Sequence, residues 1–64
     1  MRYEEATKAM SQGADCTAPA LNSLPACTGK ITRRFIVFGE DWAEVTAKDG
    51  RTVTRAIAEL EGCN

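Results

Sequence analysis

The sequence predicts an α+β domain: an N-terminal helix packed on a three-stranded antiparallel meander, joined by an irregular or short-helical segment over residues 14–29. Apolar residues at helical spacing open the chain, and residues 31–57 are rich in β-branched and aromatic side chains interrupted by glycine-containing turns. At 64 residues the chain has room for one core only, so residues 1–64 are read as a single domain.

Tyr3, Ala6 and Met10 fall at i, i+3 and i+7, one stripe of a helix over 3–12. Glu4 and Glu5 lie in its first turn, where the helix dipole favours negative charge. Glu4 and Lys8 stand in the favourable i, i+4 order, and Gly13 supplies a left-handed stop. From Ala14 to Gly29 the only charged residue is Asp15, and Pro19 and Pro25 punctuate the segment. A structureless stretch of this length is unusual in a small domain. Leu21 and Leu24, with Cys16 and Cys27, are therefore expected to hold it against the sheet.

Ile31–Phe38, Trp42–Ala47 and Arg51–Ile57 read as the strands, with turns at Gly39-Glu40-Asp41 and Lys48-Asp49-Gly50. Gly50 suits the left-handed third position of a three-residue hairpin loop closed by a G1 bulge. Val53, Ile57 and Leu60 also fit the stripe of a helix beginning near Thr52 or Thr54. The β-prone run Thr52-Val53-Thr54 favours a strand through about Ala56, and Glu59–Asn64 a short helical turn or tail.

Three-residue loops at both turns would set Phe38 against Trp42, Phe35 against Val45, and Val45 against Val53. One face then collects Phe35, Val37, Ala43, Val45, Ala47 and Val53, the expected core under the helix. The other collects Ile36, Phe38 and Trp42 beside Arg34, Glu44 and Thr54. That second apolar patch is either a mini-core beneath residues 14–29 or an exposed aromatic anchor for a partner. Arg34, Ile36, Phe38, Glu40 and Trp42 are the candidate partner-binding residues.

Composition argues against chemistry. The chain has no histidine, the usual general base near neutral pH. Ser11 and Ser23 have no visible base, and no cysteine has an adjacent basic residue to lower its pKa. Neither catalysis nor a cofactor is expected. Cys16, Cys27 and Cys63 resemble no zinc motif in spacing, so no metal site is expected either. An odd cysteine count without C-x-x-C spacing predicts free thiols rather than a disulfide. Lys30, Arg33 and Arg34 form a small basic patch, and Arg33 and Arg34 with Arg51 and Arg55 could form a stripe across the sheet, but Glu40, Asp41 and Glu44 interrupt it and the formal charge is −1. A nucleic-acid partner is not predicted. Glu4 and Glu5 occupy the place of a signal peptide's apolar core, and no apolar run approaches the roughly 20 residues of a membrane span. A soluble cytoplasmic protein, in a reducing cytosol, is expected.

In size, absence of catalytic motifs and helix-plus-meander pattern, the whole chain resembles the small anti-defence proteins of phages and mobile elements, anti-CRISPR proteins above all. These share no signature motif, so the resemblance is one of type. It implies stoichiometric inhibition of a bacterial defence complex through contact with a CRISPR effector subunit. The segment Tyr3-Glu4-Glu5-Ala6-Thr7-Lys8-Ala9-Met10, followed by Gly13, is similar to the opening helix of phage anti-Thoeris sponges, which sequester a nucleotide immune signal. Thr17-Ala18-Pro19-Ala20-Leu21 lacks the basic residue and tryptophan those proteins tend to carry there, which removes the ligand-contacting groups. The sponge is one alternative, and a small nucleic-acid-binding accessory protein is the other.

Overall fold

The computed structural model describes residues 2–21 and 23–63, the last two by backbone alone. Its helix, α1 (Tyr3–Gln12), begins where the Arg2 N–H donates to the Glu5 carboxylate at 3.3 Å, half of a capping box. Gly13, at φ 65°, ends it in the left-handed conformation. The buried stripe is Ala6 and Ala9, while Tyr3 and Met10 remain exposed beside it. Two alanines let the helix lie close to the sheet, so the bulkier residues of the expected stripe flank the contact.

Among the described residues the sheet has five antiparallel strands: β1 (Asp15–Ala18), β2 (Cys27–Val37), β3 (Glu40–Thr46), β4 (Thr52–Ala56) and β5 (Glu61–Cys63), in the order β4-β3-β2-β1-β5. The meander β2-β3-β4 is the expected one, and β1 and β5 extend it. β1 hides in the sequence because it is only four residues long, and its buried positions, Cys16 and Ala18, are small. β4 ends at Ala56, and a 3-10 turn over Ile57–Glu59 then carries Ile57 and Leu60 into the core. The helical stripe through Val53, Ile57 and Leu60 is thus not used as one.

β2 serves both halves of the sheet. Its first residues pair with β1, from Ala18↔Cys27 to Asp15↔Lys30, and its remainder with β3, from Lys30↔Thr46 to Val37↔Glu40. Where the two halves meet, a Cβ on Gly29 would lie 2.1 Å from the Thr46 carbonyl oxygen, so only glycine fits. The β2–β3 register then shifts between Ile31 and Arg33, and the Thr32 hydroxyl bonds to Thr46 Oγ1 at 2.9 Å.

The expected faces are corrected by the first turn, whose loop is Phe38-Gly39 rather than three residues; the bulge then returns Ile31 to the core side. Ile31 pairs with Val45 on the core side, but beyond the bulge Arg34 pairs with Ala43 and Phe35 with Trp42. Ala43 and Val45 are fully buried in the core cluster and Val53 packs against it. Arg34 and Ile36 share their face, whereas Phe35 and Val37 join Trp42 on the opposite one. Neither Phe38 against Trp42 nor Phe35 against Val45 occurs. Val45 against Val53 does.

The segment before β2 does not cover the second face. Leu21 and Leu24 are exposed and bond each other through their backbones, at 3.1 and 2.8 Å. The Pro25 carbonyl instead accepts a bond from Arg55 Nη2 at 3.3 Å. Arg55 is 3% exposed, also donates to the Thr54 carbonyl, and has no partner for its Nε. A buried cation thus fastens the segment over the core side of β4.

The thiol expectation is corrected too. Cys16 is disulfide-bonded, and Cys27 is a buried free thiol. β1–β5 pairing sets Cys16 opposite Cys63, a juxtaposition that residues 47 positions apart in sequence do not announce. The expectation for the Cys63 thiol, and that for Asn64, lie outside the described residues.

Candidate functional site at the first hairpin

β2 and β3 are joined by a two-residue loop, Phe38-Gly39, closed by the Val37↔Glu40 pair. Both loop residues have positive φ, 50° and 76°, the signature of a type I′ turn. Such turns favour Asn-Gly or Asp-Gly, because any Cβ crowds the following carbonyl in the left-handed region and the short polar side chains of Asn and Asp offset this with local hydrogen bonds. Phenylalanine occupies that position here, and it is fully exposed, at 103% of the reference area. Ile36 is 69% exposed and Val37 is exposed as well, so the tip presents three consecutive apolar residues.

Arg34 lies at the base of this tip on the helix side. Its guanidinium stacks 4.8 Å from the centroid of the Tyr3 ring, and its Nη1 donates to the Thr7 hydroxyl. Its Nε is buried without an acceptor. Among the described residues the one ion pair joins Arg51 to Asp49, so Arg34 has no carboxylate partner. Tyr3, Arg34, Phe35 and Ile36 line a recess of about 290 Å³.

On the opposite face the Arg33 guanidinium sits 5.2 Å from the centroid of the Phe35 ring, and Phe35 pairs across the strands with half-buried Trp42. Exposed Glu40 shares that side through its pairing with Val37. Back on the helix side, a second recess, of about 410 Å³, is lined by Arg2, Tyr3, Gly39, Glu40, Asp41, Ile57 and Ala58.

The five candidate residues therefore all belong to one hairpin but not to one face. Arg34 and Ile36 are on the helix side, Glu40 and Trp42 on the other, and Phe38 projects from the tip between them. Tyr3 and Thr7 were missed as neighbours of Arg34. They stand at i, i+4 on α1, one helix face, but only the two-residue loop, by pairing Arg34 with Ala43, turns Arg34 toward it.

Among the described residues no group of three or more histidine, cysteine or acidic side chains is placed to hold a metal ion. No helix among them is long and apolar enough to cross a membrane. No family model, curated protein or solved structure matches the chain.

Proposed function

We propose that this chain is a non-enzymatic binding protein that docks on a partner protein through the tip of the β2–β3 hairpin. Phe38 carries the reading. It combines left-handed backbone with full exposure, so its side chain gains nothing from the fold while its backbone is strained by about 1 kcal/mol or more. An aromatic ring held out on a rigid turn loses little freedom on burial, which suits it to anchor an interface.

The resemblance to phage anti-defence proteins makes a CRISPR effector subunit, in the host bacterial cytosol, the first partner to test, with inhibition by occupancy as the mechanism. The sponge and nucleic-acid alternatives find less support, because Glu40 and Asp41 outweigh Arg2 in the larger recess beside the tip and leave it net negative. The Cys16 disulfide is uncommon for a reducing cytosol, so binding is to be measured on both oxidised and reduced protein.

Phe38→Asn provides the test, because Asn-Gly is the preferred type I′ pair. The variant should fold at least as well as the parent, yet bind purified effector complex about 30-fold more weakly in biolayer interferometry. Equal binding by the two proteins would refute hairpin docking.

A further inference from the structure

We infer that Arg34 is a carboxylate-binding site, and that the partner segment met by this face carries one aspartate or glutamate next to an apolar side chain. The inference rests on the hairpin-docking reading and gives the partner a chemistry. Arg34 is oriented but not neutralised. Tyr3 fixes the plane of its guanidinium and Thr7 takes one donor, while Nε is buried without an acceptor and no carboxylate of the described residues lies within ion-pair distance. An oriented guanidinium with spare donors matches a carboxylate, whose oxygens accept charge-assisted bonds in the same plane.

The surroundings select the class of anion. Arg34 opens onto the recess it shares with Ile36, whose exposed side chain offers an apolar contact one residue pair nearer the tip. Asp41 pairs with Ile36 across the strands, so a second negative charge on the ligand meets repulsion. A single carboxylate with an aliphatic neighbour satisfies both conditions, whereas a phosphodiester chain does not.

The test uses the full chain, labelled with nitrogen-15, and two blocked dipeptides as probes: N-acetyl-Glu-Leu-amide and its Gln-Leu counterpart. The Arg34 Nε–H resonance and the Ile36 amide report occupancy directly. The Glu probe should shift both and saturate, with the Gln probe about tenfold weaker, as expected for loss of a hydrogen bond to a charged acceptor. Arg34→Lys, checked for native circular dichroism, should lower affinity for the Glu probe severalfold, since an ammonium lacks the planar fork. Phe38→Asn should leave the titration unchanged, which separates this site from hairpin docking. Absence of a saturable shift, equal binding of the two probes, or displacement of the Glu probe by equimolar inorganic phosphate would each overturn the carboxylate assignment. Those outcomes leave hairpin docking to stand or fall on its own measurement.

Discussion

The two hairpins of the meander share β3 and solve the same geometric problem with opposite chemistry. At the β3–β4 loop every residue agrees with its conformation. Gly50 takes φ 92° where a side chain would be strained, and its N–H donates to the Ala47 carbonyl at 3.0 Å. The Asp49 carboxylate accepts the Arg51 N–H at 3.0 Å and pairs with the Arg51 Nε at 3.0 Å. At the β2–β3 loop Gly39 fits, but Phe38 contradicts both its backbone and its exposure. When local chemistry and conformation agree, stability accounts for the residue; when they conflict without a compensating contact, function is the better account.

Trp42 offers the largest expected effect, because β3 belongs to both hairpins. The ring is half-buried, across from Phe35 and from buried Ala56. Trp42→Ala should cost about 2–3 kcal/mol in urea unfolding, below the range of fully buried tryptophans because part of the ring is already wet. The folded fraction should keep most of its partner affinity. A stable Trp42→Ala variant that no longer binds would move the anchor from the tip to the outer face.

Gly50→Val follows, at about 1–2 kcal/mol of destabilisation from its positive φ. Nothing lies within 4 Å of a Cβ at Gly50, so the backbone alone carries the cost. An unchanged melting temperature would remove the contrast between the loops. The reverse substitution sharpens it. Phe38→Asn should stabilise by about 1 kcal/mol, with Phe38→Ala intermediate, since alanine keeps the left-handed penalty but sheds the exposed ring. If Phe38→Asn is destabilising, the ring contributes to the fold and loses its claim as a dedicated anchor.

Much of this arrangement was legible in the sequence. α1, its Gly13 stop, the strand order of the meander and the Gly50 loop each leave a local signal: a period, a breaker or a turn residue. The faces were not legible, for two particular reasons. The bulge near Thr32 inserts one residue without any glycine at that position to mark it, and so puts Ile31 and Arg34 on one face despite their spacing of three. Phe38, meanwhile, reads as the end of a strand because aromatic residues favour strands, when it is in fact the first loop residue. The error and the functional signal have the same source, a residue whose local preference the structure overrides. The Cys16 disulfide was hidden differently: it depends on β5 returning beside β1, a long-range pairing with no local sequence mark.

The smallest effect lies in the charge at the β3–β4 loop. The Arg51 backbone N–H, together with the nearby Arg51 guanidinium, holds the Asp49 carboxyl below its ordinary value of 3.8. A lowered folded-state pKa stabilises the fold where the carboxylate is ionised in both states. That contribution is therefore complete above about pH 4 and is lost as pH falls through the lowered folded-state value. Both side chains are largely exposed, at 62% and 59%, so solvent and salt screen the pair and the shift in melting temperature will be small. Asp49→Asn retains an acceptor for the Arg51 N–H but removes the charge. The melting-temperature gap between parent and variant should thus be widest near neutral pH at low salt, and should narrow toward zero as pH falls through the lowered folded-state value. Because Phe38 carries no titrating group, the same scan on Phe38→Asn should run parallel to the parent throughout. A gap for Asp49→Asn that stays constant across the acid range would mean that the loop is held by its backbone alone, leaving Gly50 as the sole stabilising element of the contrast.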